Sequence, residues 1–90
     1  MVSLALALVG PWPAAGVDLR LSDREIKARI IEESIAGFPG VCPCPYSTTE
    51  AGVMCGPASA YGARAADAPL CFPVDVGERQ VQDYRRRHGL

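Results

Sequence analysis

The chain has a single histidine, His88, close to its C-terminus. Ser-His and Cys-His nucleophilic catalysis both need a histidine base held by neighbours, and one at a chain end has no fixed partner. No apolar run approaches the ~20 residues of a membrane-spanning helix; the longest, residues 2–9, is interrupted by Ser3. There is no Cys-x-x-Cys pair, so the spacings that suit zinc knuckles or a thioredoxin-like dithiol are missing. The first sixteen residues carry no charged side chain, and the net charge of −1 provides no bulk attraction to nucleic acid. Internal repeats and low-complexity tracts are absent as well.

The N-terminus has an order of its own. An apolar stretch is broken by Pro11-Trp12-Pro13 and followed by the small residues Ala14-Ala15-Gly16. That order is the pattern of a secretory signal, although the basic residues that usually precede the apolar core are missing. The expectation is a signal peptide over 1–16 and one small domain over 17–90, periplasmic or secreted. No cysteine lies near the cleavage site to take a lipid, and no transmembrane anchor is expected in the mature chain. A domain this small buries only about 60% of its unfolded surface and needs staples.

Cys42, Cys44, Cys55 and Cys71 supply them. In an oxidising compartment four cysteines read as two disulfides. Cys42 and Cys44 each precede a proline, which pushes them into extended backbone. Two extended steps hold their Cα atoms about 6–7 Å apart, at or beyond the limit for a bridge. A Cys42–Cys44 disulfide is therefore disfavoured, and two pairings stay open: 42–55 with 44–71, or 42–71 with 44–55. The other chemistries of the same residues are a four-cysteine zinc domain and a thiol-redox enzyme using Cys42 and Cys44. The first lacks its spacing. The second places its dithiol after a helix C-terminus, the wrong end for stabilising a thiolate.

Flanking the cysteines are two predicted helices. Residues 18–36 combine Ser22 as N-cap, Glu25 in a capping box and Leu21 facing Ile26 as a staple. Ile26, Ile30, Ile31 and Ile35 form one apolar stripe. On the other face Asp23/Lys27, Glu25/Arg29 and Arg29/Glu33 stand at ion-pairing distance along the helix, and Gly37 and Pro39 end it. A second helix is expected over 75–88, capped by Asp75 with Glu78, presenting Val81 and Tyr84 to the isoleucines. Between them, residues 38–73 hold six prolines, four glycines and all four cysteines without any period. The fold class is small, disulfide-rich and mainly α: two helices flanking an irregular, cross-linked loop region.

Beyond the cysteines, the residues with binding potential are Tyr46, Ser59, Tyr61, Arg64 and the run Arg85, Arg86 and Arg87. Tyr46 follows Pro45; Ser59 and Tyr61 follow Cys55-Gly56-Pro57; the three arginines offer cations to phosphate or an anionic envelope polymer. For each, the plain alternative is a turn residue, a core ring or a solvated helix end. No metal ligand, cofactor site or catalytic residue is predicted.

Ile30-Ile31-Glu32-Glu33-Ser34-Ile35-Ala36, Cys42-Pro43-Cys44-Pro45-Tyr46, Cys55-Gly56, Ser59-Ala60-Tyr61, Cys71-Phe72 and Asp75-Val76 together resemble a group of small uncharacterised bacterial exported proteins. The likeness covers about residues 26–84. It departs from the group around Ser-Ala-Tyr: Ala58 stands where a basic residue is usual, and Gly62-Ala63-Arg64-Ala65-Ala66 replaces a Ser-Arg-Pro-Gly-Gly-like loop. The resemblance implies export and the cysteine framework, and no activity. The functional expectation is a non-enzymatic interaction or structural module of the envelope or periplasm, with an envelope protein or polymer as partner and no nucleic acid.

Overall fold

A computed structural model describes residues 20–90 of the chain, and the expected leader, with its cleavage point after Gly16, lies outside the described residues. The first helix, α1, spans Asp23–Ala36. Ser22 sets its start. With φ −70° and ψ 162° it is extended backbone, its hydroxyl accepts from Glu25 N–H at 3.1 Å, and Glu25 returns a carboxylate to Ser22 N–H at 3.1 Å. Two donors that the helix leaves unpaired are thereby satisfied. The helix therefore begins after the cap and not at residue 18. At the other end Gly37 is the C-cap, in right-handed backbone at φ −83°. Phe38 N–H closes a tight last turn on Ile35 O at 3.0 Å, and Pro39, without an N–H, ends it.

The second helix, α2, spans Glu78–His88 and packs against α1. Ile26, Ile31, Val76, Val81 and Tyr84 form the buried cluster between them, with Leu21, Ile30, Ile35 and Leu70 at its margin. The isoleucine stripe is thus half core and half rim. α2 starts three residues later than expected. Gly77 is its N-cap, donating its N–H to Gln80 Oε1 at 2.9 Å. Asp75 does not cap it; the carboxylate is claimed by the short 3-10 turn Pro73–Asp75, described below. Gly89 closes the helix in the left-handed region, φ 66°, where glycine alone carries no Cβ penalty.

The expected ion pairs along α1 do not close among the described residues. Asp23 instead meets Arg85 of α2 at 2.6 Å, and the same guanidinium donates to Leu21 O at 3.0 Å. One arginine thus clamps the start of α1 to the end of α2.

Between the helices the chain is held by disulfides and backbone hydrogen bonds. Cys42 pairs with Cys55 and Cys44 with Cys71, with Cα separations of 5.8 and 5.7 Å, which selects the first of the two open pairings. The prolines organise the rest. Pro43 and Pro45 have no N–H to donate, so residues 42–45 offer a file of carbonyls. Each is taken: Cys42 O by Ala60 N at 2.8 Å, Pro43 O by Tyr61 N at 3.1 Å, Cys44 O by Ser47 N at 2.9 Å, and Pro45 O by Gly56 N at 2.9 Å. A small hairpin follows, with Cys55 N–H on Ser47 O at 2.7 Å and Thr49 N–H on Val53 O at 2.8 Å, joined across a single bridge between Thr48 and Met54. Its turn uses Gly52 at φ 82°.

A second 3-10 turn, Gly56–Ala58, leads into the segment that pairs with the carbonyl file. Here Gly62 is required by space: a Cβ would lie 2.7 Å from Pro57 O and 2.8 Å from Pro57 Cα. Both are backbone atoms and cannot swing aside. Gly62→Ala is expected to lower stability by about 1–3 kcal/mol, seen as an earlier urea midpoint at unchanged slope. A midpoint equal to wild type would show that the loop is not packed this closely.

Candidate functional site

Three aromatic rings gather where the loop region meets the 3-10 turn. Phe72 stands between Tyr46 and Tyr61, edge to face with both, at centroid distances of 5.4 and 5.3 Å. Each tyrosine is fixed by its hydroxyl. Tyr46 donates to Cys71 O at 2.6 Å, and Tyr61 donates to Asp75 Oδ1 at 2.9 Å. Asp75 in turn holds the backbone beneath the rings, its Oδ2 accepting from Cys71 N–H at 3.1 Å and Phe72 N–H at 2.8 Å. The Cys44–Cys71 bridge pins the same stretch from behind, with Cys44 fully buried and Cys71 nearly so.

The charges follow from these contacts. Partial burial of the Asp75 carboxyl raises its pKa, but the amides of Phe72 and Cys71 and the Tyr61 hydroxyl together outweigh that and hold it below the usual carboxylate value. Its charge raises the pKa of Tyr61, chiefly through their hydrogen bond. Burial, with the Asp75 charge second, raises that of Tyr46. At neutral pH the site is an anchored carboxylate under three neutral rings.

The rings are not sealed. Tyr46 is 46% exposed, and Val74, on the 3-10 turn beside them, is 86% exposed. The outcome is a rigid, partly apolar face with every polar handle already tied to the protein.

The structure sorts the other expected residues differently. Ser59 is fully buried and its hydroxyl accepts from Gly62 N–H at 2.9 Å, which makes it an interior turn residue. Arg64 sits exposed in a tight turn at φ 58°, the one non-glycine residue in the left-handed region among those described. The basic run is divided three ways. Arg85 clamps α1, Arg86 pairs with Asp83, and Arg87 lies over the Tyr84 ring, 5.6 Å from its centroid. His88 is not loose either; it stacks on the same Tyr84 ring, with centroids 4.0 Å apart. The three side chains thus contact three different partners.

Phe72 and Asp75 are the members of the face that the sequence reading missed. A signal existed: Phe72-x-x-Asp75 has the spacing of a side chain reaching back to the amide three residues earlier, the arrangement that caps a turn. Asp75 with Glu78 fits a helix capping box equally well, so the local pattern points two ways.

Fold and site together define a small disulfide-stapled domain, mainly helical, with one aromatic face. No protein-family model matches the chain, and no match was found among curated proteins or solved structures.

Proposed function

We propose that this chain is a non-enzymatic interaction module, exported to the bacterial periplasm or envelope, that binds its partner through the face built by Tyr46, Tyr61 and Phe72. The observation that carries the reading is convergence. Cys-Pro-Cys-Pro-Tyr, Ser-Ala-Tyr, Cys-Phe and Asp-Val are scattered over residues 42–76, and each contributes to one patch: Tyr46 and Cys44, Tyr61, Cys71 and Phe72, and Asp75. Exposed aromatic rings fixed in one orientation lose little entropy on contact, which is why such side chains anchor interfaces. Two disulfides in a chain this short are in keeping with an oxidising compartment. A thiol-redox enzyme would need Cys42 and Cys44 as a couple, whereas they belong to separate bridges. The partner is an envelope protein or polymer.

Export is tested by the intact mass of the protein purified from the periplasm, before and after reduction and alkylation. The expected result is an N-terminus at Val17 and no alkylatable thiol before reduction; Met1 retained with four free thiols would overturn both export and the staples. The face is tested by sedimenting the purified protein with envelope fragments. Tyr46→Ser with Phe72→Ser is expected to weaken association about tenfold, and unchanged sedimentation would remove the face from the proposal.

A further inference from the structure

Four cysteines in two bridges leave no thiol in the oxidised chain. In chain order the bridges join the first cysteine to the third and the second to the fourth, so neither links neighbours in sequence. The swapped set, 44–55 with 42–71, differs only in which of two cysteines two residues apart takes which partner. Closure of a flexible loop falls off as about the −3/2 power of its length. Cys42 and Cys55 are 13 residues apart and Cys44 and Cys55 are 11 apart. The unfolded chain therefore closes the swapped bridge about 1.3-fold more readily. The remaining bridges span 27 and 29 residues and differ by even less. Chain statistics make no choice in favour of the observed pairing.

Local structure leans the same way. The hairpin closes within residues 47–55, with Cys55 N–H on Ser47 O at 2.7 Å and Thr48 bridged to Met54. It sets Cys55 opposite Ser47, from which Cys44 is three residues back along the chain and Cys42 five. The contacts that favour Cys42 come from further off. Ala60 N–H on Cys42 O, at 2.8 Å, and Tyr61 N–H on Pro43 O, at 3.1 Å, each join residues 18 apart. Leu70 N–H on Ser34 Oγ, at 2.9 Å, joins residues 36 apart and fixes the position next to Cys71. Contacts across long loops form after short-range ones. A bridge made before they form is as readily 44–55 as 42–55.

We propose that this protein reaches its observed pairing through thiol–disulfide isomerisation: oxidation yields a mixture that includes the swapped set, and a thiolate from outside the chain converts it. Each bridge forms as two cysteine thiols pass two electrons and two protons to an oxidant, in the cell a disulfide donor. Once 44–55 and 42–71 are both closed, the chain holds no thiolate of its own to begin an exchange. The external thiolate attacks Cys55 Sγ, and the electron pair of the 44–55 bond leaves on Cys44 Sγ. The Cys44 thiolate attacks Cys71 Sγ, closes 44–71 and expels Cys42 as a thiolate. Cys42 then attacks Cys55 Sγ in the mixed disulfide, closes 42–55 and releases the external thiolate. No electrons are gained or lost, and the thiol is regenerated. The fold sets the direction. The observed pairing buries Cys71 with Cys44 while Cys71 N–H donates to Asp75 and its carbonyl accepts from Tyr46. This step depends on the bridge pairing alone, whatever the aromatic face binds.

The full chain is reduced in urea, diluted into buffer and oxidised with diamide, which accepts two electrons per bridge and supplies no thiol. Bridges are assigned by partial reduction, stepwise alkylation and tandem mass spectrometry. At early times 44–55 is expected to be at least as abundant as 42–55. The final product is expected to hold about a third or more of its molecules as 44–55 with 42–71. That fraction should persist in diamide alone. Reduced glutathione, with its disulfide present to keep the bridges oxidised, is then added, followed by catalytic protein disulfide isomerase. Conversion to 42–55 with 44–71 by glutathione supports the proposal with a small thiol as the source, and conversion only by the isomerase supports it with an enzyme. Exclusive 42–55 with 44–71 in diamide alone would overturn it, because the fold would then choose the pairing before oxidation. A swapped set that survives both thiol sources would overturn it too.

Discussion

A chain with Cys44→Ala and Cys71→Ala is expected to lose its cooperative thermal transition, while one with Cys42→Ala and Cys55→Ala still unfolds cooperatively. The loop lengths alone do not separate the two bridges. They join residues 27 and 13 apart, for which the chain-entropy model gives about 3.5 and 3 kcal/mol. Location separates them. Cys44 and Cys71 are buried, so their truncation leaves a void as well as an open loop, and the total approaches the upper end of the ~2–5 kcal/mol range for small domains. Cys71 also adjoins the points where the loop region meets the helices: Leu70 packs on the core and donates its N–H to Ser34 Oγ at 2.9 Å. Releasing Cys71 loosens that junction. Circular dichroism and thermal melts of both double variants are the measurement. A Cys42/Cys55 variant less stable than the Cys44/Cys71 variant would refute the ranking.

Asp75→Ala is the second large effect. It removes the acceptor for Cys71 N–H, Phe72 N–H and Tyr61 O–H at once. Hydrogen bonds to a charged group are worth more than neutral ones, and water recovers part of the loss at this half-buried site, so the expected cost is about 3 kcal/mol. Wild type should also show two pH limits. The Asp75 carboxyl titrates lower folded than unfolded, so its contribution is present above the unfolded value of about 3.9 and disappears as pH falls through the lower, folded value. Tyr61 and Tyr46 titrate higher folded than unfolded. Their contribution is complete below about pH 10 and is lost as pH rises through the folded values. Asp75→Asn keeps one acceptor oxygen but no charge. Its stability gap to wild type should narrow below pH 4, and Tyr61→Phe should soften the alkaline limit. A constant gap from pH 2 to 7 would show that the carboxylate is not ionised against these donors.

How much of this was written locally in the chain can be seen at the two helix starts. Ser22, Glu25 and Leu21 act within five residues of one another, and the structure reproduces the capping box that their order predicts. Asp75 and Glu78 have the same local grammar, yet Asp75 is drawn away by Tyr61, fourteen residues earlier, and by the amides of residues 71 and 72. Short-range patterns lose when a distant donor competes for the same carboxylate. The cysteines lie between these cases. Proline geometry disfavours one pairing locally, but choosing between the other two depends on Pro43, Pro45 and the segment at 56–61 coming together, which no single stretch encodes. The face itself was read in part. Tyr46 and Tyr61 stand out in the sequence, but their grouping needs Phe72, whose neighbours come from residues 26 and 11 positions away.

The carbonyl file has a consequence for solubility. From Pro43 to Pro45 every carbonyl is taken, the two prolines bring no N–H, and the remaining amide, Cys44 N–H, is held by Ser47 Oγ at 3.3 Å. A strand from another molecule finds no unpaired backbone group along this ribbon and cannot add to it. Unprotected edges are where sheets grow between copies, and here the ribbon runs beside a hairpin that exposes Val53 and Met54. The prolines thus keep residues 43–45 from serving as a template for a strand of another molecule.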